Sequence, residues 1–436
     1  MKKVSLLLII ATLVFSCLNV NAKDSVISMN KYREENFLFI DDSYNKEGKV
    51  DGKIVGGYYL KEGEEDSSSE DKQIILLKYN NNGKVIWTYS YGKTKEDYLD
   101  YLTYSYSSDG NIDGYLISMV ETHDLGETSS NETIFIKVDL DGKFVSEKKL
   151  SLNKNIVINK MIPIRGERVE YLLLGSNEEE GFVIKLDKDL NVIWEENSKT
   201  TYKDITLIKD NNNIVGYALI KEIQQEDKKV SSLVRYNLNG EEIKIIKDNL
   251  DEYNSYYLEE ANDGFIMYGT TSLVKLKNGD TSYYIINYNS KDEDYFETIG
   301  DIYVNKDKKI ILFPIIKDGK IKEYLLGYSN QKSKNLEIVR IAVDGEIKEK
   351  IKKIYDEYYT ISDFTFKKNI LYLVGQINCP EDDNCDYDSN SLLLISTEDK
   401  VIEVKDNDSK NILIITTIFI ILICLGVFIK KKRIRI

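Results

Sequence analysis

The stretch Ile74 to Trp87, IILLKYNNNGKVIW, sets an apolar run, a polar turn around Gly83 and a second apolar run closed by tryptophan. A near copy, FVIKLDKDLNVIW, spans Phe182 to Trp194. Runs of this length, rich in β-branched and aromatic side chains and bounded by turn residues, read as strands. Asn81-Asn82-Gly83 supplies residues that tolerate positive φ, as a tight hairpin requires. One such unit cannot bury its own apolar faces, so a chain that repeats it must stack the copies.

The repeat is longer than the hairpin. GKIVGGYYL (Gly52 to Leu60), IILLKY, KVIWTYSYG and EDYLDYLTYSY (Glu96 to Tyr106) read as four consecutive strands. The first recurs from Asp113, Val169, Asn213, Asp263, Lys309 and Asn369, and the second from Ile134, Phe182, Ser232, Tyr283, Leu336 and Ser391. Aligned on Lys78, Lys137, Lys185, Arg235, Asn287 and Arg340, the copies lie 48 to 59 residues apart, the period of a four-stranded blade with its loops. The pattern predicts an all-β, seven-bladed β-propeller with four-stranded antiparallel blades, in which Asn36 to Asp41 (NFLFID) closes the last blade. The order of Asp-Gly and an aliphatic strand, an aliphatic-Lys-aliphatic strand, then a turn into Trp resembles the blade repeats of secreted and surface bacterial β-propeller proteins of uncharacterised function. Trp87 and Trp194 are the only tryptophans, so the resemblance implies architecture and no shared ligand site.

The ends read differently. Lys2 and Lys3, the apolar run Val4 to Phe15 and then Val20-Asn21-Ala22 make 1–22 a secretory signal peptide, with lipidation at Cys17 as the alternative processing. Ile412 to Ile429 carries no charge and would span about 27 Å as a helix, so 411–429 is predicted as a transmembrane helix. The basic tail 430–436 then lies in the cytoplasm and the propeller, 23–410, outside. These readings predict a single-pass protein of the cell membrane with the membrane itself as a partner.

The formal net charge is −14, and seven of the cations sit in the two end segments, which leaves the middle more acidic still. Nucleic acid is disfavoured as a partner. His123 is the only histidine, read as lying in a polar loop just past a strand, and no GxSxG, HExxH or P-loop pattern occurs, so no catalytic or cofactor residue stands out. Outside the two end segments only Cys379 and Cys385 remain, flanking a Pro-containing loop that could close a small disulfide. Asp382, Asp383, Asp386 and Asp388 in the same loop are oxygen ligands of the kind Ca²⁺ takes, in an order that matches no EF-hand. Long acidic loops also fall at Lys61 to Lys72 and His123 to Glu132, all expected on the rim opposite the Asn-Gly turns. The expected role is a binding module for adhesion or envelope scaffolding, with an extracellular protein or glycan as ligand and no enzymatic activity. The alternative is a carbohydrate-active hydrolase or lyase using paired carboxylates in the propeller channel.

Overall fold

The computed structural model describes residues 25–27 and most of 33–397, and among the longer connections 62–70, 272–280 and 379–390 fall outside the described residues. The described strands form seven four-stranded antiparallel sheets. Six sheets take four consecutive strands each. The seventh combines Tyr358–Lys367, Ile370–Asn378 and Ser391–Thr397 with Ser25–Ile27 from the other end of the chain. Ser25, Val26 and Ile27 pair antiparallel with Ile395, Leu394 and Leu393.

That closure corrects the predicted one. Asn36 to Asp41 belongs to Arg33–Tyr44, the first strand of the first blade, and the closing strand is Ser25–Ile27. The whole predicted unit is displaced by one strand. Glu96 to Tyr106, read as the end of a unit, supplies Asp97–Tyr106, which opens the next sheet, and each predicted first strand is second in its blade. The opening strands, Arg33–Tyr44, Asp97–Tyr106, Val157–Arg165, Thr201–Asp210, Tyr257–Glu260, Ile310–Lys317 and Tyr358–Lys367, lie innermost and meet one another around the central channel.

Burial follows from this order. Second and third strands are covered on both faces by neighbouring blades, so Val169–Ser176 and Gly181–Asp187 are buried almost throughout. Fourth strands cover a blade's outer edge, and Val85–Tyr91 and Val192–Ser198 accordingly alternate between half-buried and exposed. The turn between them holds the register. Asn80 and Lys84 bond across it, Gly83 N–H donates to the Asn80 carbonyl at 2.9 Å, and Gly83 has φ of 75°. In the echo the equivalent position is Leu190, at φ 62°, and the turn keeps its hydrogen bonds despite the side chain. Both hairpins carry the bulge that accompanies such a turn.

The aligned cations have a structural role. Lys78 pairs with Asp51 at 2.8 Å and Lys137 with Asp113 at 2.7 Å, and each aspartate also accepts from an inner-strand serine, Ser43 or Ser105. Lys185 pairs with Glu170 and Arg340 with Glu323 in the same arrangement. The Asp-Gly of the repeat is thus an anchor for a mostly buried cation, which explains its recurrence without a ligand. The tryptophans join blades: Trp87 Nε1–H donates to Leu140 O at 3.1 Å and its ring lies over Gly142, while Trp194 lies over Gly240.

The membrane expectations need correction. The described residues contain strands and no helix, and none of their segments is a helix long and apolar enough to cross a membrane. The seven sheets stand without the helix that the predicted fold adds to them, and the transmembrane helix, the single-pass location in the cell membrane, the membrane as partner and the anchored surface role find no support among the described residues. The signal peptide 1–22, Cys17, 411–429 and the tail 430–436 lie outside the described residues.

Candidate active site in the central channel

Inner strands differ from the others in being interrupted. Five of them carry a bulge at the same depth, where the cross-strand register skips Leu38, Asp100, Asn159, Lys203 and Ser362. An extra residue reverses which face the following side chain takes and bends the strand, a device common beside active sites. The residues just after the bulges are Phe39, Tyr101, Lys160, Asp204 and Asp363.

Three of the carboxylates at this level bolt one blade to the next. Asp363 accepts from Ile40 N–H at 3.0 Å, Asp100 from Ile158 N–H at 3.3 Å and Asp204 from Leu258 N–H at 2.6 Å. Asp204 is also paired with Lys160 at 3.0 Å, and Lys160 donates to Leu258 O at 2.7 Å. Separate sheets share few backbone hydrogen bonds, the bridge Lys209–Gly264 between the fourth and fifth blades being one, so these side-chain bonds add to what the backbone supplies.

Above them opens a cavity of about 720 Å³, lined by Asp41, Tyr101, Tyr104, Lys160, Arg165, Lys209 and Glu259 among others. The volume falls in the range of small-ligand sites. Asp41 comes from the first blade and Glu259 from the fifth, so two carboxyls reach one space from separate walls. Burial pushes Glu259 up to about 7, with Lys160 opposing and Asp204 and Glu260 adding to the rise. Burial also raises Asp41, against hydrogen bonds from Tyr104 and the Asp42 N–H and the charge of Lys53. Asp41 is exposed to the cavity, and the surrounding channel walls supply the desolvation.

Tyrosines complete the floor. Tyr101 packs edge-on against Phe39 at 5.2 Å, and its hydroxyl lies within the fields of Glu259, Asp363, Asp204 and Asp41. Burial and these carboxylates raise Tyr101 and Tyr104 far above the usual phenol range. Both phenols therefore stay protonated and act as hydrogen-bond donors; Tyr104 Oη–H donates to Asp42 O at 2.9 Å.

Asp100 offers a test of the burial. Burial lifts it to about 7, so between about pH 4 and pH 7 the folded chain holds a proton that the unfolded chain has lost, and stability falls as pH rises through that window. Asp100→Asn keeps an acceptor for Ile158 and removes the penalty. Its melting temperature should equal the wild type's below about pH 4 and exceed it by several degrees at about pH 8. Equal melting temperatures at both pH values would show that this carboxyl is well solvated.

The residues singled out in the sequence are elsewhere. His123 lies on Ile112–Asp124, the second strand of its blade, paired with Ser130, rather than in a loop. Cys379, Cys385, Asp382, Asp383, Asp386 and Asp388 lie outside the described residues, and among the described residues no group of three or more His, Cys, Asp or Glu is placed to hold a metal ion. Asp41, Tyr101, Tyr104 and Glu259 went unnoticed. For Tyr101, Tyr104 and Glu259 the one sequence signal is an acidic residue beside tyrosine on a strand, as in DYLDYLTYSY and YLEE, and Asp41 in REENFLFIDDSY has none.

No protein-family model and no curated protein matches the chain. Solved structures do resemble it. The β-propeller domain of the Trilobed protease from Pyrococcus furiosus matches with 15% identity and TM-score 0.47, over 88% of this chain and 99% of that one. An ulvan lyase of a new polysaccharide lyase family matches with 10% identity and TM-score 0.49, over 85% and 96%, and the polysaccharide lyase Uly1 with 8% identity and TM-score 0.45, over 86% and 99%. Likenesses this distant say nothing of the reaction. The β-propeller is the part of the predicted resemblance that the structure supports; a bacterial, secreted or surface character is not established. The chain is thus similar to several propellers and is assigned to no family.

Proposed function

We propose that this protein is an enzyme that cleaves glycosidic bonds in its central channel, with Glu259 as proton donor and Asp41 as the opposing base or nucleophile. The observation that carries the reading is that two carboxyls from separate walls face one cavity and are both shifted toward the protonated form. A carboxyl near 7 can hold a proton at neutral pH and give it to a leaving oxygen. Burial makes Asp41 a stronger base than a solvated carboxyl, and a phenol, a backbone N–H and Lys53 oppose that rise, which suits it to face the sugar ring as base or nucleophile. Tyr101 and Tyr104 add donors and flat surfaces for sugar hydroxyls and ring faces.

Hydrolysis is favoured over elimination. Abstracting a proton beside a uronate carboxylate calls for a strong base, and the two phenols in the cavity are held protonated rather than activated. A serine-based mechanism is disfavoured because the sole histidine belongs to a second strand rather than to one of the inner strands that line the channel. The earlier expectation of a non-enzymatic binding module is dropped in favour of this reading.

The test is a screen of the purified chain on neutral and acidic polysaccharides. New reducing ends should appear on at least one polymer without the ultraviolet absorbance that elimination creates. A folded chain that releases no reducing ends from any of them would overturn the proposal.

A further inference from the structure

The last residues of successive inner strands meet at the mouth of the channel, on the side of the short turns between first and second strands. They are Tyr44, Tyr106 and Arg165. Arg165 is exposed, its guanidinium lies over the Tyr106 ring at 5.8 Å, and its charge reaches the hydroxyls of both tyrosines. It lines the same cavity as Glu259. The other two cations of that wall are neutralised within the protein, Lys160 by Asp204 and Lys209 by Glu260. Arg165 has no carboxylate partner among the described residues, in a chain whose acidic side chains outnumber its basic ones 73 to 59.

From this we infer that Arg165 is a specificity residue that takes the carboxylate of an acidic sugar, so that the substrate is a uronate-bearing polysaccharide. The inference rests on the channel reading above and names its substrate class. A guanidinium over a ring face keeps its paired N–H donors free to match a carboxylate. Tyr106, raised to about 12 chiefly by burial, remains a neutral platform and repels no anion. The acidic remainder of the chain opposes anions at long range, and salt at physiological strength screens that opposition beyond about 8 Å, so short-range pairing at Arg165 decides the outcome.

The experiment measures binding without turnover. Tetragalacturonate and its methyl ester are titrated calorimetrically into the full chain, into Arg165→Ala and into Arg165→Lys, at about 0.15 M salt and neutral pH. The wild type should hold the acid roughly ten- to a hundredfold more tightly than the ester. Arg165→Ala should lose that preference and leave ester binding unchanged, whereas Arg165→Lys, which keeps charge and loses the fork, should fall between them. Equal affinity for acid and ester in the wild type, loss of both in Arg165→Ala, or binding of neither form overturns the inference. A chain that shows the acid preference at Arg165 but cleaves nothing would keep the binding site and refute the channel chemistry, which separates the two claims.

Discussion

Glu259→Gln is expected to lower kcat on any polysaccharide the protein cleaves by about 10²- to 10⁴-fold, the usual worth of a positioned proton donor. Glutamine keeps the shape and cannot carry the proton, so KM should change little. Asp41→Asn should produce a loss of similar size through a different step, since a carboxamide cannot serve as base or nucleophile. The pair should also be non-additive, because each residue is useful only while the other works. Steady-state kinetics on the two single variants and the double variant, with circular dichroism to confirm folding, reads all of this. Either single variant retaining full kcat would remove that residue from the mechanism.

The second large effect concerns stability. Lys53 is 3% exposed and its ammonium pairs with Asp42 at 2.7 Å, with Thr365 Oγ1 at 3.4 Å and the Tyr372 ring at 4.5 Å beyond. Thr365 and Tyr372 belong to the last blade, so this cation sits across the seam where the ring closes. Asp42→Ala would leave a desolvated ammonium short of its main anion, and breaking a buried pair from one side costs about 3–5 kcal/mol. Urea denaturation should show that loss, and Asp42→Ala with Lys53→Met should recover most of it, since two apolar groups leave no orphaned charge. A single variant as stable as the wild type would mean that water reaches Lys53.

The seam also shows which parts of the molecule were legible in the chain. Third and fourth strands with their turn could be read directly, because burial on both faces of Ile74 to Leu77 and of Phe182 to Leu186 demands an unbroken apolar run, and the turn demands residues fit for positive φ. Even so the pattern places the start of the unit one strand away from where the blade begins. The cause is the inner strand, whose residues face a wet channel on one side and a blade on the other. VINKMIPIR, TYKDITLIKD and YYTISDFTFK share no common pattern, and their bulges break the alternation that marks a strand. Glu96 to Tyr106 therefore read as the end of one copy rather than the start of the next.

For the same reason the candidate site was invisible. Attention to His123 and the acidic loops followed residue type, whereas Asp41 and Glu259 matter through position, one on the first inner strand and one on the fifth. Nothing in the linear order relates them, since it is the closing of the ring by Ser25–Ile27 that completes the channel they share. The aspartates that the repeat advertises, Asp51 and Asp113, instead hold Lys78 and Lys137 in place.

The most direct test of the channel chemistry is the pH dependence of kcat/KM for wild type and Glu259→Gln on the same cleaved polymer, between about pH 5 and pH 9. Because Glu259 must be protonated to act and is raised to about 7, wild-type activity should fall about tenfold for each pH unit above that point, and the residual activity of Glu259→Gln should lack this limb. A wild-type profile that stays flat to about pH 9, or an identical alkaline limb in Glu259→Gln, would contradict a proton donor at this position.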